Sequence, residues 1–133
     1  MSESTPAAVA ATYFEALARG DMPTAMAQLG EQVVWHQPGA HRFSGQHIGV
    51  EAVGAHLGRM MEASEGTFQL APTGPAMVNG GFIAVPVRFS ATRSGAAMDM
   101  AGVDLLTIQD GKIVAVHLFS EDGAAEDAFW GGA

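Results

Sequence analysis

The Asp110-Gly111 step between two apolar runs constrains this chain more than any other stretch. Asp-Gly flanked by hydrophobic segments is the strongest short-range signal for a two-residue type I′ hairpin. With Asp110 and Gly111 as the loop, Ile108 pairs with Ile113, Leu106 with Ala115 and Gly102 with Phe119 on one face. The other face pairs Leu105 with Val116 and Val103 with Leu118. Apolar residues meet throughout, which supports this register. The same count sets Asp104 directly opposite His117, with Cβ atoms roughly 5 Å apart. An acid facing an imidazole on an otherwise apolar surface is the first place to look for chemistry.

The chain around this hairpin is one domain, residues 1–133, long enough to build a core. Its 48% hydrophobic content argues against disorder. Six basic residues against fourteen acidic give a net charge of −8. That balance repels nucleic acid and anionic membrane, and the expected partner is a small hydrophobic molecule. No apolar run approaches a bilayer span. The alanine-rich start has Glu3 where a signal peptide would be basic, and Thr12, Tyr13 and Glu15 interrupt it, so a cytoplasmic protein is expected. Cysteine is absent, which removes disulfides, thiolate metal sites and a cysteine nucleophile.

Taken in order, Thr5-Pro6 reads as an N-cap and first helical position, and Val9, Tyr13 and Leu17 recur at helical spacing up to Gly20. Asp21 caps a second short helix ending at Gly30. Residues 32–36 form a short strand, 37–49 a loop, and Val53, Leu57, Met60 and Met61 mark a third helix that stops before Gly66. From Thr67 onward strand follows strand, broken by Pro72-Thr73-Gly74-Pro75, by Asn79-Gly80-Gly81 and by Ser94-Gly95. Pro86 inside the strand 82–92 predicts a bulge. Helices first and a strand meander after them make the class α+β. Both faces of the last hairpin are apolar. The three helices cover one, and a second copy covers the other, with Val103, Leu105, Val114, Val116 and Leu118, to give a homodimer through the sheet.

This order, with Val34-Trp35-His36-Gln37-Pro38-Gly39, Phe43-Ser44-Gly45, Gly49-Val50-Glu51-Ala52-Val53, Asp110-Gly111-Lys112-Ile113, Phe119-Ser120-Glu121-Asp122 and Asp127-Ala128-Phe129-Trp130, resembles the SnoaL-like polyketide cyclases and ketosteroid isomerases of the nuclear transport factor 2-like superfamily. The resemblance implies a cone: three N-terminal helices on a curved, mostly antiparallel sheet, with a cavity between them. It also implies a strand carboxylate acting as general acid/base without metal or cofactor, and Asp104 matches it by position. The ketosteroid isomerase pattern is not reproduced: on the helices only Tyr13 is available as an oxyanion tyrosine, and no second buried acid is evident. The Asp–Arg–Asp set of the epoxide hydrolases of this fold is not matched, because the Ser94-Gly95 register turns Arg88 away from Asp104.

The candidate catalytic residues are therefore Asp104, His117 and His36. A carboxylate can fix an imidazole's tautomer or itself serve as the base in an apolar cavity. The competing reading is a buried polar pair whose members satisfy one another. His36 ends its strand beside Trp35 and either reaches the cavity mouth or anchors the loop. Trp35, Tyr13, Met60, Phe89, Met98, Met100, Phe119 and Trp130 are the candidate cavity lining, methionine being suited to bulky apolar ligands; the alternative for each is ordinary core. His36, His41 and His47 lack a carboxylate at ligand spacing, so no metal is expected. His56 reads as a half-buried helix residue, and Asp99 and Asp122, facing across the hairpin end, as solvated. The expected function is a cofactor-free isomerase or cyclase acting on a hydrophobic carbonyl compound. A non-catalytic ligand-binding protein and an epoxide-opening hydrolase or cyclase are the alternatives.

Overall fold

Thr5 caps the first helix with its hydroxyl on the Ala8 amide, and Pro6 supplies its first turn. In the computed structural model, which describes residues 5–132, helix α1 (Pro6–Arg19) ends at Gly20 in the left-handed region. Asp21 caps α2 (Met22–Ala27) through the Thr24 amide. The chain continues through β1 (Leu29–Gln37), β2 (Gly45–Ile48), α3 (Val50–Ala63), β3 (Gln69–Pro72), β4 (Met77–Asn79), β5 (Phe82–Arg93), β6 (Ala96–Gln109), β7 (Lys112–Ser120) and α4 (Gly123–Trp130). The strands form one sheet in the order β2-β1-β7-β6-β5-β3, with β4 also on β5. All pairings are antiparallel except β1 on β7. Among the described residues no helix is long and apolar enough to cross a membrane.

Four features depart from the sequence-based expectation, the first being that the second helix stops at Ala27 and that Leu29 and Gly30 open β1. The segment 37–49 holds the short strand β2, which pairs with β1. The chain also adds a fourth helix, with Asp122 capping it through the Ala125 amide and Gly131 following it. And no bulge forms at Pro86, which pairs with Val103 in an unbroken β5–β6 register. Pro86 turns its backbone polar side toward the interruption between β3 and β4, where its carbonyl accepts from Thr73. Its missing N–H therefore removes no bond to β6.

The hairpin itself forms with Asp110 and Gly111 at φ 52° and 77°, as a type I′ turn requires. Gln109 pairs with Lys112 and Ile108 with Ile113. The register then slips by one: Thr107 pairs with Ala115, Leu106 with Val116, Leu105 with His117 and Asp104 with Leu118. β1 slips as well between Leu29 and Val34, directly alongside. Paired bulges on neighbouring strands bend a sheet, and here they curl it around the helices.

A one-residue slip moves every later side chain to the opposite face. Val116 and Leu118 therefore point inward, and His117 and Phe119 outward. The inner face of β6 carries Met98, Met100, Asp104, Leu106 and Ile108, all buried. Gly102 belongs to the same set for a steric reason: a Cβ there would lie 2.5 Å from the Phe119 carbonyl and 2.9 Å from the Phe89 ring. Gly102→Ala is expected to destabilise the protein by about 1–3 kcal/mol, the usual cost of overpacking, measured by urea denaturation.

Candidate functional site

The slip separates the two residues that the simple hairpin count brings together. Asp104 faces the helices, whereas His117 lies on the outer face opposite Leu105. The Asp104–His117 pairing expected from sequence does not form, because a bulge inside β7 leaves no trace in a run of apolar residues. His117 instead stands beside His36 on the parallel strand β1, their rings stacked at 3.9 Å and 12°. Phe119, read from sequence as cavity lining, is 53% exposed on that same outer face.

Inside, Asp104 is 6% exposed and paired across the sheet with Val85 and Leu118. Burial alone pushes its carboxyl up to about 7; among the described residues no cation or hydrogen bond offsets the loss of water. Tyr13 of α1, also fully buried, sits near enough that the Asp104 charge adds to burial in raising its own pKa. The phenol therefore stays a hydrogen-bond donor at every physiological pH. The other interior residues picked from sequence, Trp35, Met60, Phe89, Met98, Met100 and Trp130, are all buried in the same core.

A second polar group lies along the same row of the sheet. Continuing the His36–His117 step by one residue sets Gln37 beside Leu118, with Asp104 on the far side of Leu118. Two strand spacings put the Gln37 and Asp104 backbones roughly 10 Å apart. Gln37 Oε1 accepts from Trp35 Nε1 at 3.0 Å and meets His56 Nε2 at 2.9 Å. The indole N–H can only donate and the amide oxygen can only accept, so His56 carries its proton on Nε2. Burial, then the nearby His47, Arg59 and His41, push the His56 pKa down to about 3 and keep the ring neutral. The helix pattern predicts a half-buried His56; it is fully enclosed, and its link to Gln37, nineteen residues away, has no local signature.

Helix α4 packs over the loop between β1 and β2. Trp130 packs edge-on against Phe43 at 5.4 Å and lies near His41 and Phe68. The helix is tied down by Arg93 Nε on the Phe129 carbonyl, by the Ala40 amide on Asp127, and by Ser120 on Glu126. His47 stacks on His56 at 3.8 Å, so His36, His41 and His47 occupy three different surroundings. Among the described residues no three histidine or acidic side chains are arranged to hold a metal.

A curled α+β cone with one desolvated carboxyl facing its helices defines a structural class, and similarity to known proteins identifies it. The sequence profile of the SnoaL-like domain matches residues 10–116, and the chain belongs to that family. It is 31% identical over 117 residues to the uncharacterized protein Rv0034 of Mycobacterium tuberculosis, covering 88% of this chain and 89% of that one. A protein of unknown function with a cystatin-like fold from Xanthomonas campestris superposes with a TM-score of 0.91 at 46% identity, over 96% and 98% of the two chains. An NTF2-like protein from Burkholderia xenovorans (TM-score 0.75, 20% identity, 98% and 99% covered) and a candidate polyketide cyclase from Xanthomonas campestris (0.71, 19%, 95% and 96%) share the fold.

Proposed function

We propose that this protein acts on a hydrophobic carbonyl compound by moving a proton next to the carbonyl, with Asp104 as general base and acid and Tyr13 as the donor to the carbonyl oxygen. The observation that carries this is the buried Asp104 carboxyl, pushed up to about 7 by desolvation inside an apolar core. A group titrating near neutrality is matched to proton transfer at that pH, because both of its forms are populated. Ketosteroid isomerases work by this class of chemistry, with acidic groups tuned by an apolar site.

In the proposed step the Asp104 carboxylate takes the proton from the carbon beside the carbonyl. The resulting enolate oxygen is held by the Tyr13 hydroxyl. Where a double bond is conjugated with the enolate, the protonated Asp104 returns its proton to the far carbon of the dienolate, which is isomerisation; otherwise the enolate carbon attacks a second carbonyl and the new alkoxide takes the proton back from Asp104, which is ring closure. Neither step calls for a cofactor. The candidate cyclase sharing the fold is consistent with the second outcome. Met60, Met98 and Met100 line the interior, and unbranched methionine side chains can rearrange around a bulky guest. His117 and His36 take no part in this step, since they face the other way. The test is proton–deuterium exchange beside the carbonyl in a panel of aryl ketones, followed by NMR. Exchange above background that Tyr13→Phe lowers supports the reading, and none in any ketone refutes it.

We also propose that the outer face of the sheet is the homodimer surface. One row crosses it from Met77 through Ala84, Leu105, His117 and His36 to Gln46, and Phe82, Val103, Phe119 and Ile48 flank that row while exposed. A groove of about 350 Å³ lined by Met77, Phe82, Ala84 and Leu105 belongs to the same face. Large exposed apolar patches on soluble folds mark association surfaces, and a second copy offers the matching patch. Phe119→Glu is expected to convert a dimer to a monomer in sedimentation velocity without lowering the melting temperature of the monomer core. A wild-type monomer at 100 µM (a concentration of roughly this order suffices for the weakest specific dimers) would refute this surface.

A further inference from the structure

We infer that the stacked His36–His117 pair makes the proposed homodimer pH-dependent: the two outer faces meet while both rings are neutral and part as the pair takes up a proton. This rests on the outer face being the dimer surface. The pair stands within the row that runs from Met77 to Gln46, on the neighbouring strands β7 and β1. Its rings lie 3.9 Å apart and 12° from parallel. His117 Nδ1 is enclosed and has no partner among the described residues. His36 Nδ1 lies 3.4 Å from Gln46 Nε2, the contact of an amide donor with an unprotonated ring nitrogen. Both rings are therefore housed as neutral imidazoles.

The surroundings supply little that would hold an imidazolium. Flanking the pair on this face are Gln46 of β2, Val34 of β1, Ala115 and Phe119 of β7, and Leu105 of β6, none of them ionisable. His47, next along β2, turns the other way and stacks on His56. The charged residues along these strands stand further off. Glu121 is four residues from His117, about 13 Å along the strand direction, and its carboxylate accepts from the Ala101 amide. Arg88 and Asp99 pair with each other at 2.8 Å. Glu31 and Lys112 are each five residues away at the opposite end, Lys112 Nζ donating to the Ala27 carbonyl. A face so nearly free of net charge lets two copies meet although each carries −8 overall. Burial, then the charge of His117, already hold the His36 pKa below the ordinary 6.5. Covering the pair with a second copy removes more water and gathers both pairs in one apolar interface, which disfavours the charged form further. The neutral rings thus belong to the dimer and the proton to the monomer. Linkage then weakens the dimer as pH falls through the ordinary histidine range. Overall charge predicts the opposite sign, since protonation relieves the repulsion between two acidic copies.

Sedimentation equilibrium of the full chain from about pH 7.5 to about pH 5.5, a unit on either side of the ordinary histidine pKa, reads the effect. The wild-type dissociation constant is expected to rise at least about tenfold toward the acid end. The double variant, His36→Phe with His117→Phe, keeps two aromatic rings and removes both titrating groups. It should remain dimeric and hold its affinity over that range, or tighten at the acid end. ¹⁵N NMR of the wild-type chain labelled in histidine gives a second reading that needs no variant. The His36 and His117 imidazole midpoints should fall with rising protein concentration, as dimer replaces monomer. A dimer whose affinity is constant or grows toward acid pH, with unmoved midpoints, would overturn the inference and leave the dimer surface standing. Acid dissociation undiminished in the double variant would assign it to other groups and overturn the role of this pair. A monomer at every pH would overturn the dimer surface and this inference with it.

Discussion

Asp104→Asn is expected to slow proton exchange beside a bound ketone by about 100-fold or more, the range in which a positioned general base contributes. Asparagine keeps the size and packing of the side chain between Val85 and Leu118 but cannot take up a proton. The wild-type rate should rise with pH and level off above about 7, following ionisation of Asp104. In the variant that rise should vanish along with the rate. His117→Ala is the matched control. An Asp104–His117 dyad would make it nearly as damaging, whereas the one-residue slip in β7 puts His117 on the far face and leaves exchange unchanged. Tyr13→Phe should fall between the two, because removing one donor to a developing oxyanion costs rate while the base remains. NMR exchange rates across pH 5–9 (a window of about two units on each side of neutrality) read all three variants together.

The second large effect is on stability, where two buried groups pull in opposite directions with pH. Asp104 has a folded pKa near 7 against an ordinary 3.8, so the folded protein holds a proton that the unfolded chain has released. Stability from this group is full below about pH 4 and falls as pH rises through about 7, by about 4 kcal/mol in all. His56 has its pKa pushed down to about 3 from 6.5, so here the unfolded chain binds the extra proton. Its contribution is full above about pH 6.5 and is lost as pH falls toward about 3. Between pH 4 and 6.5 the two slopes oppose one another. Urea denaturation is expected to show wild-type stability nearly flat there. Asp104→Asn should rise with pH across the same window and overtake the wild type near neutrality. His56→Gln should fall with rising pH instead. Parallel curves for all three proteins would mean that neither group is desolvated.

Most of the fold is legible in the sequence because its signals are local. Thr5-Pro6 and Asp21 cap the helices they mark, Gly20 and Gly66 follow helix ends, and Asp110-Gly111 makes the expected turn. The Ser94-Gly95 register is also as counted, which sends Arg88 outward to an ion pair with Asp99 at 2.8 Å. The register beyond the Asp110-Gly111 turn is not legible in this way. The bulge near Val114 involves no glycine or proline; it accompanies the slip of β1 alongside, a contact between strands about eighty residues apart. One residue of slip is enough to trade His117 for Leu118 opposite Asp104 and to move Val116 and Leu118 from the expected dimer face into the core. α4 does carry a local signal, Asp122 before an acidic turn with Gly131 after it. The Gln37–His56–Trp35 group carries none, since its bonds join a strand to a helix across the interior. Asp104 itself stands out in the sequence for its place on an apolar strand, while the partner that the hairpin count assigns to it is wrong.

On this account Asp104 is a desolvated carboxyl poised to exchange a proton near neutrality. The most direct test is a ¹³C NMR titration of the Asp104 carboxyl carbon in the wild-type protein, assigned by its disappearance in Asp104→Asn. A midpoint near 7 is the predicted result. A midpoint near the ordinary value of 3.8 would contradict it, and would leave the interior without a group able to carry the proposed chemistry.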